Sequence, residues 1–247
     1  MNLTEKNIRE KEFHNNLQKK KKGRFEGIFY KALYNSNEDF FKYLEKNVKD
    51  LDVLDYGCGI GSSMEKVINY NPKKITGIDI SEVSIQKAIS KLKDAKINIE
   101  CLVENCENTK IDSNSFDIVY GTGILHHLQL DKSLNEIYRL LKHSGTLAFI
   151  EPLGTNPLIN IYRKLTPNSR SKDEHPLIKQ DFDYMLLKFK EMKINYYGFF
   201  TLVFFPFYGS PATSSFFKLL SKLDQYLFKF KFFKQMAWSV LITAKKN

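Results

Sequence analysis

The chain has 247 residues, 43% of them hydrophobic and 27% charged, with a formal net charge of +10. Those proportions are ordinary for a globular protein with a full core. Three cysteines (Cys58, Cys101, Cys106) are too few and too scattered for a disulfide framework, and no run of 18 apolar residues is present, so a secreted mini-protein or a membrane-spanning protein is not expected. The charge is unevenly spread: residues 1–50 carry +4, residues 51–150 −2, residues 151–200 +2 and residues 201–247 +6. The excess therefore sits at the two ends, which argues against nucleic-acid binding by the central block.

Residues 1–47 read as mostly helical, with the lysine run KKKKGR (19–24) between a polar helix and the aromatic stretch FEGIFYKALY (25–34). LDVLDYG (51–57) is a short apolar run stopped by glycine, the signature of a buried strand. SMEKVINYN (63–71) predicts a helix ending before Pro72, and KKITGIDI (73–80) a second strand. Ser81 is positioned to cap the next helix, where Val83, Ile85, Ala88, Ile89 and Leu92 recur at helical spacing. INIECLV (97–103) and SFDIVYG (115–121) predict a third and a fourth strand. DKSLNEIYRLLKHSG (131–145) predicts a helix closed by Gly145, and TLAFIEP (146–152) a fifth strand. Strands alternating with helices imply an α/β fold: a Rossmann-like three-layer sandwich around a mostly parallel sheet.

The stretch VLDYGCGIGSS (53–63) holds Gly57, Gly59 and Gly61 directly behind the first strand. Ligands of such sheets sit beyond the carboxyl ends of the strands, and glycine lets the backbone approach them closely. Asp79 ends the second strand 20 residues after Gly59, where a carboxylate can accept hydrogen bonds from both hydroxyls of a ribose. Ser62 stands where a dinucleotide fingerprint has its last glycine, which favours a nucleoside ligand without phosphate.

These residues resemble the class I S-adenosylmethionine-dependent methyltransferases of the small-molecule type. The likeness runs over about residues 48–151: VLDYGCGIGSS followed by GIDIS, then NSFDIVYGTGILHHL (114–128) and EIYRLLKHSGTLAFIEP (136–152). The resemblance implies a seven-stranded sheet with an antiparallel last strand, S-adenosylmethionine as cofactor, S-adenosylhomocysteine as product and no metal. It implies that Asp55 and the turn Gly57–Gly61, Cys58 included, line the methionine part of the cofactor. It places Asp79 at the ribose, Ile80 on the adenine, and Gly121 and Thr122 facing the transferred methyl group. ENCEN (104–108) puts Asn105, followed by Cys106, where the family often has an aspartate that meets the adenine amino group.

Domain organisation follows from the same reading: an N-terminal helical lid segment (1–47), then the methyltransferase domain (48–247) with an acceptor-side loop at about 152–180 and a helical insert at about 209–235. In the lid, Phe29, Tyr30 and Tyr34 are candidates to close over the acceptor, with Tyr30 also a candidate catalytic group. His126, His127 and His175 are the candidate bases. Arg163 and Arg170 are candidates to meet an anionic substrate, and Glu151, at the end of the fifth strand, a candidate acceptor contact. INYYGFFTLVFFPFY (194–208) predicts a sixth strand running into an aromatic segment, and MAWSVLITAKK (236–246) the seventh. Between them SSFFKLLSKLDQYLFKFKFFKQ reads as one basic, amphipathic helix, and residues 199–233 hold 11 of the 20 phenylalanines. Core or a homodimer interface is one reading of that stretch, and peripheral contact with a membrane or lipid is the other.

The expected function is transfer of a methyl group to a small-molecule or lipid-like biosynthetic intermediate in the cytoplasm, at oxygen, nitrogen or carbon. Methylation of protein or nucleic acid is disfavoured because Gly121-Thr122-Gly123 lacks the aromatic that would stack on a flipped base. A non-catalytic S-adenosylmethionine-binding partner subunit is disfavoured by the intact turn and Asp79.

Overall fold

The computed structural model describes residues 3–19, 28–167 and 170–247, without the side chains of 17–19, 28 and 29. A seven-stranded sheet with order β3-β2-β1-β4-β5-β7-β6 organises them. Its strands are β1 (Asp52–Tyr56), β2 (Lys74–Asp79), β3 (Asn98–Val103), β4 (Phe116–Thr122), β5 (Leu141–Pro152), β6 (Phe189–Tyr197) and β7 (Ser239–Lys246). Strands β1 to β5 pair in parallel, and β7 alone runs against its neighbours β5 and β6. The order reverses between β1 and β4, which opens the crevice that binds ligands in such sheets.

Alternation along each strand divides the core in two. On one face Val53, Ile75, Ile118 and Tyr120 pack with Phe40 and Leu44 of α2 (Tyr34–Asn47), Met64 and Val67 of α3 (Ser62–Val67), and Ile85 and Leu92 of α4 (Glu82–Leu92). On the other, Leu54, Tyr56, Val119 and Phe149 pack with Leu134, Ile137 and Leu140 of α5 (Leu130–Leu140) and with Phe182 and Met185 of α7 (Lys179–Lys188). Ser81 caps α4 as expected, its hydroxyl accepting from the Ser84 amide at 3.0 Å.

Three boundaries differ from the sequence expectation. Helix α5 stops at Leu140, and the chain enters β5 at Leu141 through a bulge opposite Phe116 and Ile118. Gly145 is therefore no helix cap: a Cβ there would lie 2.9 Å from the Lys142 carbonyl and 3.0 Å from that of Asp117. The sixth strand is shifted to 189–197, where it pairs with β7, and the aromatic stretch after it forms the short α8 (Phe200–Val203) and a 3-10 turn. The insert is two helices, α9 (Ser215–Leu227) and α10 (Lys231–Lys234), broken around Phe228. Before α2, the N-terminal segment forms α1 (Glu5–Lys19) and a 3-10 turn (Ile28–Leu33), and α6 (Pro157–Leu165) lies in the acceptor-side loop. Nearly all of the lysine run 19–24 lies outside the described residues. No described helix is long and apolar enough to cross a membrane.

Candidate functional site

The turn after β1 is shaped by the backbone. Gly57, Gly59 and Gly61 take φ of 76°, 52° and 77°, where a side chain is strained. A Cβ on Gly57 would lie 2.5 Å from Ile124 Cγ1, and one on Gly61 would press on Leu92 and Ala88, whereas one on Gly59 would meet nothing within 4 Å. Gly59 is thus the residue whose backbone borders open space. The Gly57 and Cys58 amides both donate to the Ile78 carbonyl at 2.9 Å, tying the turn to β2.

Asp79 joins this turn to the start of α4. Its Oδ2 accepts from the Gly59 amide at 3.0 Å and its Oδ1 from the Ser81 amide at 2.8 Å. Each oxygen retains another acceptor position, as a ribose hydroxyl would need. Asp55 is fully buried, and its Oδ2 makes no hydrogen bond. Burial, and then the charge of Asp79, push its carboxyl up to about 8, with the nearby Tyr120 hydroxyl acting weakly against them. A buried carboxyl with an unmatched oxygen suits a cationic ligand group such as the ammonium of an amino acid. The residues present therefore fit S-adenosylmethionine: Asp55 for the ammonium, the turn for the amino-acid chain, Asp79 for the ribose and half-buried Ile80 beside it. Asn105 is buried, its Oδ1 accepting from the Glu107 amide at 3.0 Å and its Nδ2 facing Asn7 Oδ1 at 3.3 Å.

Three of the residues expected at the cofactor also have packing roles. The Cys58 side chain turns into the core, where a Cβ on Gly77 would touch its sulfur at 3.0 Å. The Cys106 side chain is in the opposite core layer, and burial pushes both thiols up. Gly121 is required by packing, since a Cβ would lie 2.7 Å from both Phe149 and the Tyr56 carbonyl.

Helix α1 spans the crevice, and polar side chains anchor it. Asn7 meets Glu107 after β3, Lys11 pairs with Glu82, and Asn15 accepts from the Ser81 hydroxyl at 2.6 Å. Arg9 makes a bidentate pair with Asp173 of the acceptor-side loop at 2.8 and 3.0 Å. Glu10 lies 3.1 Å from His127 Nδ1 and 3.6 Å from His14 Nε2, and also accepts from Ser171. The donor atoms of Glu10, His14 and His127 all lie within 4.8 Å of one another. Burial raises the Glu10 carboxyl, but His127, His14 and Ser171 together hold it well below the usual range. His127, expected to be a base, is 3% exposed, and burial lowers its pKa. It anchors the N-terminal helix and does not line the acceptor cavity.

His126 does. A cavity of about 310 Å³ is lined by Tyr30, Thr122, Gly123, His126, Arg163 and Arg170, among others. His126 Nδ1 is 2.8 Å from Glu151 Oε2, and Glu151 also accepts from the Ile124 and Leu125 amides at 2.9 and 2.8 Å. A carboxylate only accepts, so Nδ1 carries a proton, which in the neutral ring leaves the lone pair on Nε2. Glu151 is fully buried and is corrected from an acceptor contact to the residue that positions His126. His175 is also corrected: its ring is 55% exposed and 3.3 Å from Asp181, while its backbone amide donates to the His126 carbonyl at 2.6 Å.

Arg163 donates to the Leu153 carbonyl and Asn160, and Arg170 lies over the Tyr162 ring with its Nη1 3.8 Å from Glu174. The Nε atoms of both arginines are buried without a hydrogen-bond partner. Burial, and then the charge of Arg170, push Arg163 down to about 10. Tyr30 packs on Trp238 at 5.2 Å. Tyr34 is corrected from lid to scaffold, its ring edge-on to Phe217 of α9, and the Phe29 side chain lies outside the described residues. A second cavity of about 260 Å³ adjoins the first, sharing Tyr30, Ile159, Tyr162 and Trp238, and is walled further by Leu202, Val203 and Phe205. Sequence reading missed Trp238 and Glu10 as site-forming. The one signal for Trp238 was its being the chain's single tryptophan.

Residues 54–149 match the family model described as a methyltransferase domain. Among curated relatives, a demethylmenaquinone methyltransferase of Lactococcus lactis subsp. lactis is 35% identical over 118 residues, covering 46% of each chain. A sterol 24-C-methyltransferase of Neurospora crassa is 28% identical over 141 residues, 52% of this chain and 37% of that one. The chain thus spans less than half the length of these relatives. The geranyl diphosphate C-methyltransferase of Streptomyces coelicolor shares the fold at a TM-score of 0.67, with 14% identity over 99% of both chains. The glycine turn, Asp79 and the sheet order agree with that match, so residues 54–149 form a methyltransferase domain similar to those of the class I S-adenosylmethionine-dependent methyltransferases.

Proposed function

We propose that the protein transfers the methyl group of S-adenosylmethionine to a small amphipathic acceptor, an anionic group joined to an apolar body. The observation that carries the acceptor class is the pairing of Arg163 and Arg170 in one cavity that continues into an apolar, aromatic chamber. Both arginines are half-buried, and Glu174, 3.8 Å from Arg170, offsets one of the two charges, so the pair keeps a net positive charge that favours an anionic ligand group. Trp238, Tyr162, Leu202 and Phe205 offer the apolar body a surface that excludes water. The substrates named for the similar proteins, a demethylmenaquinone and a sterol, support a small-molecule acceptor over protein or nucleic acid.

When bound, the cofactor supplies an electrophilic methyl group on its sulfonium. Asp55, the Gly57–Gly61 turn and Asp79 hold it. His126 lines the cavity, and its Nε2 is the base for the proton that an oxygen or carbon acceptor must lose, while Glu151 keeps the ring in that tautomer. Helix α1 closes the crevice as a lid, with Asn7, Glu10 and Asn15 as its anchors, and excludes water around the reacting groups. The unpaired cysteines accord with a cytoplasmic setting.

The test is S-adenosylhomocysteine release from the purified chain over acceptors that combine or separate the two features. Turnover is expected on apolar molecules bearing a phosphate or carboxylate and to fall when either part is removed. Better turnover on neutral polar acceptors would overturn the acceptor class. Failure to bind cofactor in calorimetry would overturn the enzyme reading.

A further inference from the structure

Helix α9 carries two apolar stripes. The inward one, Phe217, Leu220 and Phe228, is buried. The outward one, Phe216, Leu219, Leu223, Tyr226 and Phe230, recurs at steps of 3 and 4 residues and is 41% to 62% exposed. That spacing places the first four on one face of α9, and Phe230 follows just beyond its end. Phe232 of α10 and Phe207, exposed 63% and 73%, extend the apolar surface. Phe204 links it to the 199–207 segment, its ring 6.2 Å from both Phe216 and Phe207. Val203 and Phe205 of that segment wall the apolar chamber, and Leu158, on the chamber's other side, is half-exposed. The outward stripe and the chamber mouth therefore belong to one continuous apolar surface.

The charges around this surface have one sign. Residues 209–235 contain Lys218, Lys222, Lys229, Lys231 and Lys234 against a single acid, Asp224. Asp224 is buried, its carboxylate accepting from the amides of Phe199, Phe200 and Thr201 and from the Thr201 hydroxyl. It faces the protein, so every exposed charge of the insert is basic. A second copy of this chain seated on the stripe would set lysines against lysines. An anionic bilayer surface complements them, and the aromatic side chains can enter its headgroup region while the lysine stems reach outward.

We infer that the outward face of α9 and α10 docks the protein onto an anionic lipid surface, with the apolar chamber opening at that surface. The docking stands apart from the methyltransferase reading; only the chamber's role as the route for an apolar acceptor rests on it.

The test is flotation with vesicles of phosphatidylcholine alone and with phosphatidylglycerol added, using the full chain. The wild type is expected to float with anionic vesicles and to be released by high salt. A Lys218→Glu, Lys222→Glu, Lys229→Glu variant and a Phe216→Ser, Leu219→Ser, Tyr226→Ser variant should each lose about tenfold or more of the bound fraction. Thermal unfolding and calorimetric cofactor binding should match the wild type in both, since every substituted side chain is exposed. Absence of flotation, or equal flotation by wild type and both variants, overturns the inference. A wild-type dimer that the apolar triple variant turns into a monomer also overturns it, because a second copy would then cover the stripe. Turnover on a water-soluble acceptor is read in parallel: its loss would count against the methyl-transfer reading, not against docking.

Discussion

The two halves of the crevice are built from different material. On the side that fits the cofactor, the groups on offer are the backbone of one turn and two carboxylates at the ends of adjacent strands, all within residues 55–79. On the acceptor side, the lining comes from the 3-10 turn before α2, the loop after β4, α6, the loop beyond it and the start of β7. The first is a mould whose shape the local sequence dictates. The second is an assembly whose members meet only once the sheet has formed. A ligand common to many enzymes can be held by backbone geometry, while a ligand particular to one enzyme needs side chains brought from elsewhere.

The sharpest way to break the mould is to put a side chain into it. Gly57→Ala places a Cβ 2.5 Å from Ile124 Cγ1 at a φ of 76°. The turn must move, and cofactor affinity in calorimetry is expected to fall by about 100-fold or more, some 3 kcal/mol. Adding Ile124→Ala removes the clash but not the φ strain, so it should restore part of the loss. No recovery in the double variant would mean that the strain alone carries the effect.

On the acceptor side the largest effect should come from His126. His126→Ala is expected to lower kcat by about 10² to 10⁴ with cofactor affinity unchanged. Glu151→Gln should give a smaller loss, since the amide has one accepting oxygen where the carboxylate uses two, for the Ile124 and Leu125 amides and for His126 Nδ1–H, but still fills the space. His127→Ala should act differently, weakening cofactor binding through the helix anchor and raising proteolytic nicking of α1. Equal losses at His126 and His127 would erase the distinction between base and anchor.

The same contrast decides what the sequence could reveal. The turn, Asp79 and the strands leading to them were legible because their chemistry depends on neighbours in the chain: three glycines with positive φ, one carboxylate at a strand end. Gly145 misled because a helix-closing glycine and a glycine in a tight strand bulge look alike until β4 is in place. The Leu-His-His motif was legible as a candidate site, but not which ring lines the cavity. Glu151, 25 residues from His126, selects that ring, and Glu10, on the N-terminal helix, takes the other. Trp238 reached the cavity only through the antiparallel return of β7. Such pairings are tertiary, so no local pattern encodes them.

Arginine substitutions sharpen the acceptor reading. Arg163→Met keeps length and apolar volume but removes one of the two charges at the cavity. The KM for an anionic acceptor is expected to rise about 10- to 100-fold with kcat little changed, the loss expected for a charge-assisted contact. A neutral analogue should be unaffected. An equal penalty on both acceptors would make Arg163 structural, through its bonds to the Leu153 carbonyl and Asn160.

The pH response separates the halves more gently. Asp55 is raised to about 8 in the folded, empty protein, against about 3.9 in an unfolded chain. The folded state therefore binds the extra proton across this window, so its stabilising contribution is full below pH 4 and is lost as pH rises through 8. The melting temperature of the empty protein should drift down over that range, and Asp55→Asn should flatten the drift. Cofactor affinity should run the other way, rising several-fold toward pH 8 because the ionised carboxyl is the form that meets an ammonium. A flat affinity profile would remove Asp55 from that role.

The smallest expected effect is at His175, and its smallness carries information. The ring is solvent-facing and pairs with Asp181, whose Oδ2 already accepts from the Ile178 amide at 2.7 Å at the start of α7. The contact that matters to the site is the His175 backbone amide on the His126 carbonyl, which any side chain preserves. His175→Ala should therefore keep kcat and KM within about twofold, as expected for an exposed pair worth under 1 kcal/mol. His175→Pro removes the amide donor and should loosen the loop that carries His126, lowering kcat while cofactor affinity holds. A large loss in His175→Ala would return the ring to the chemistry and dissolve the division between a base set by Glu151 and a loop set by the backbone.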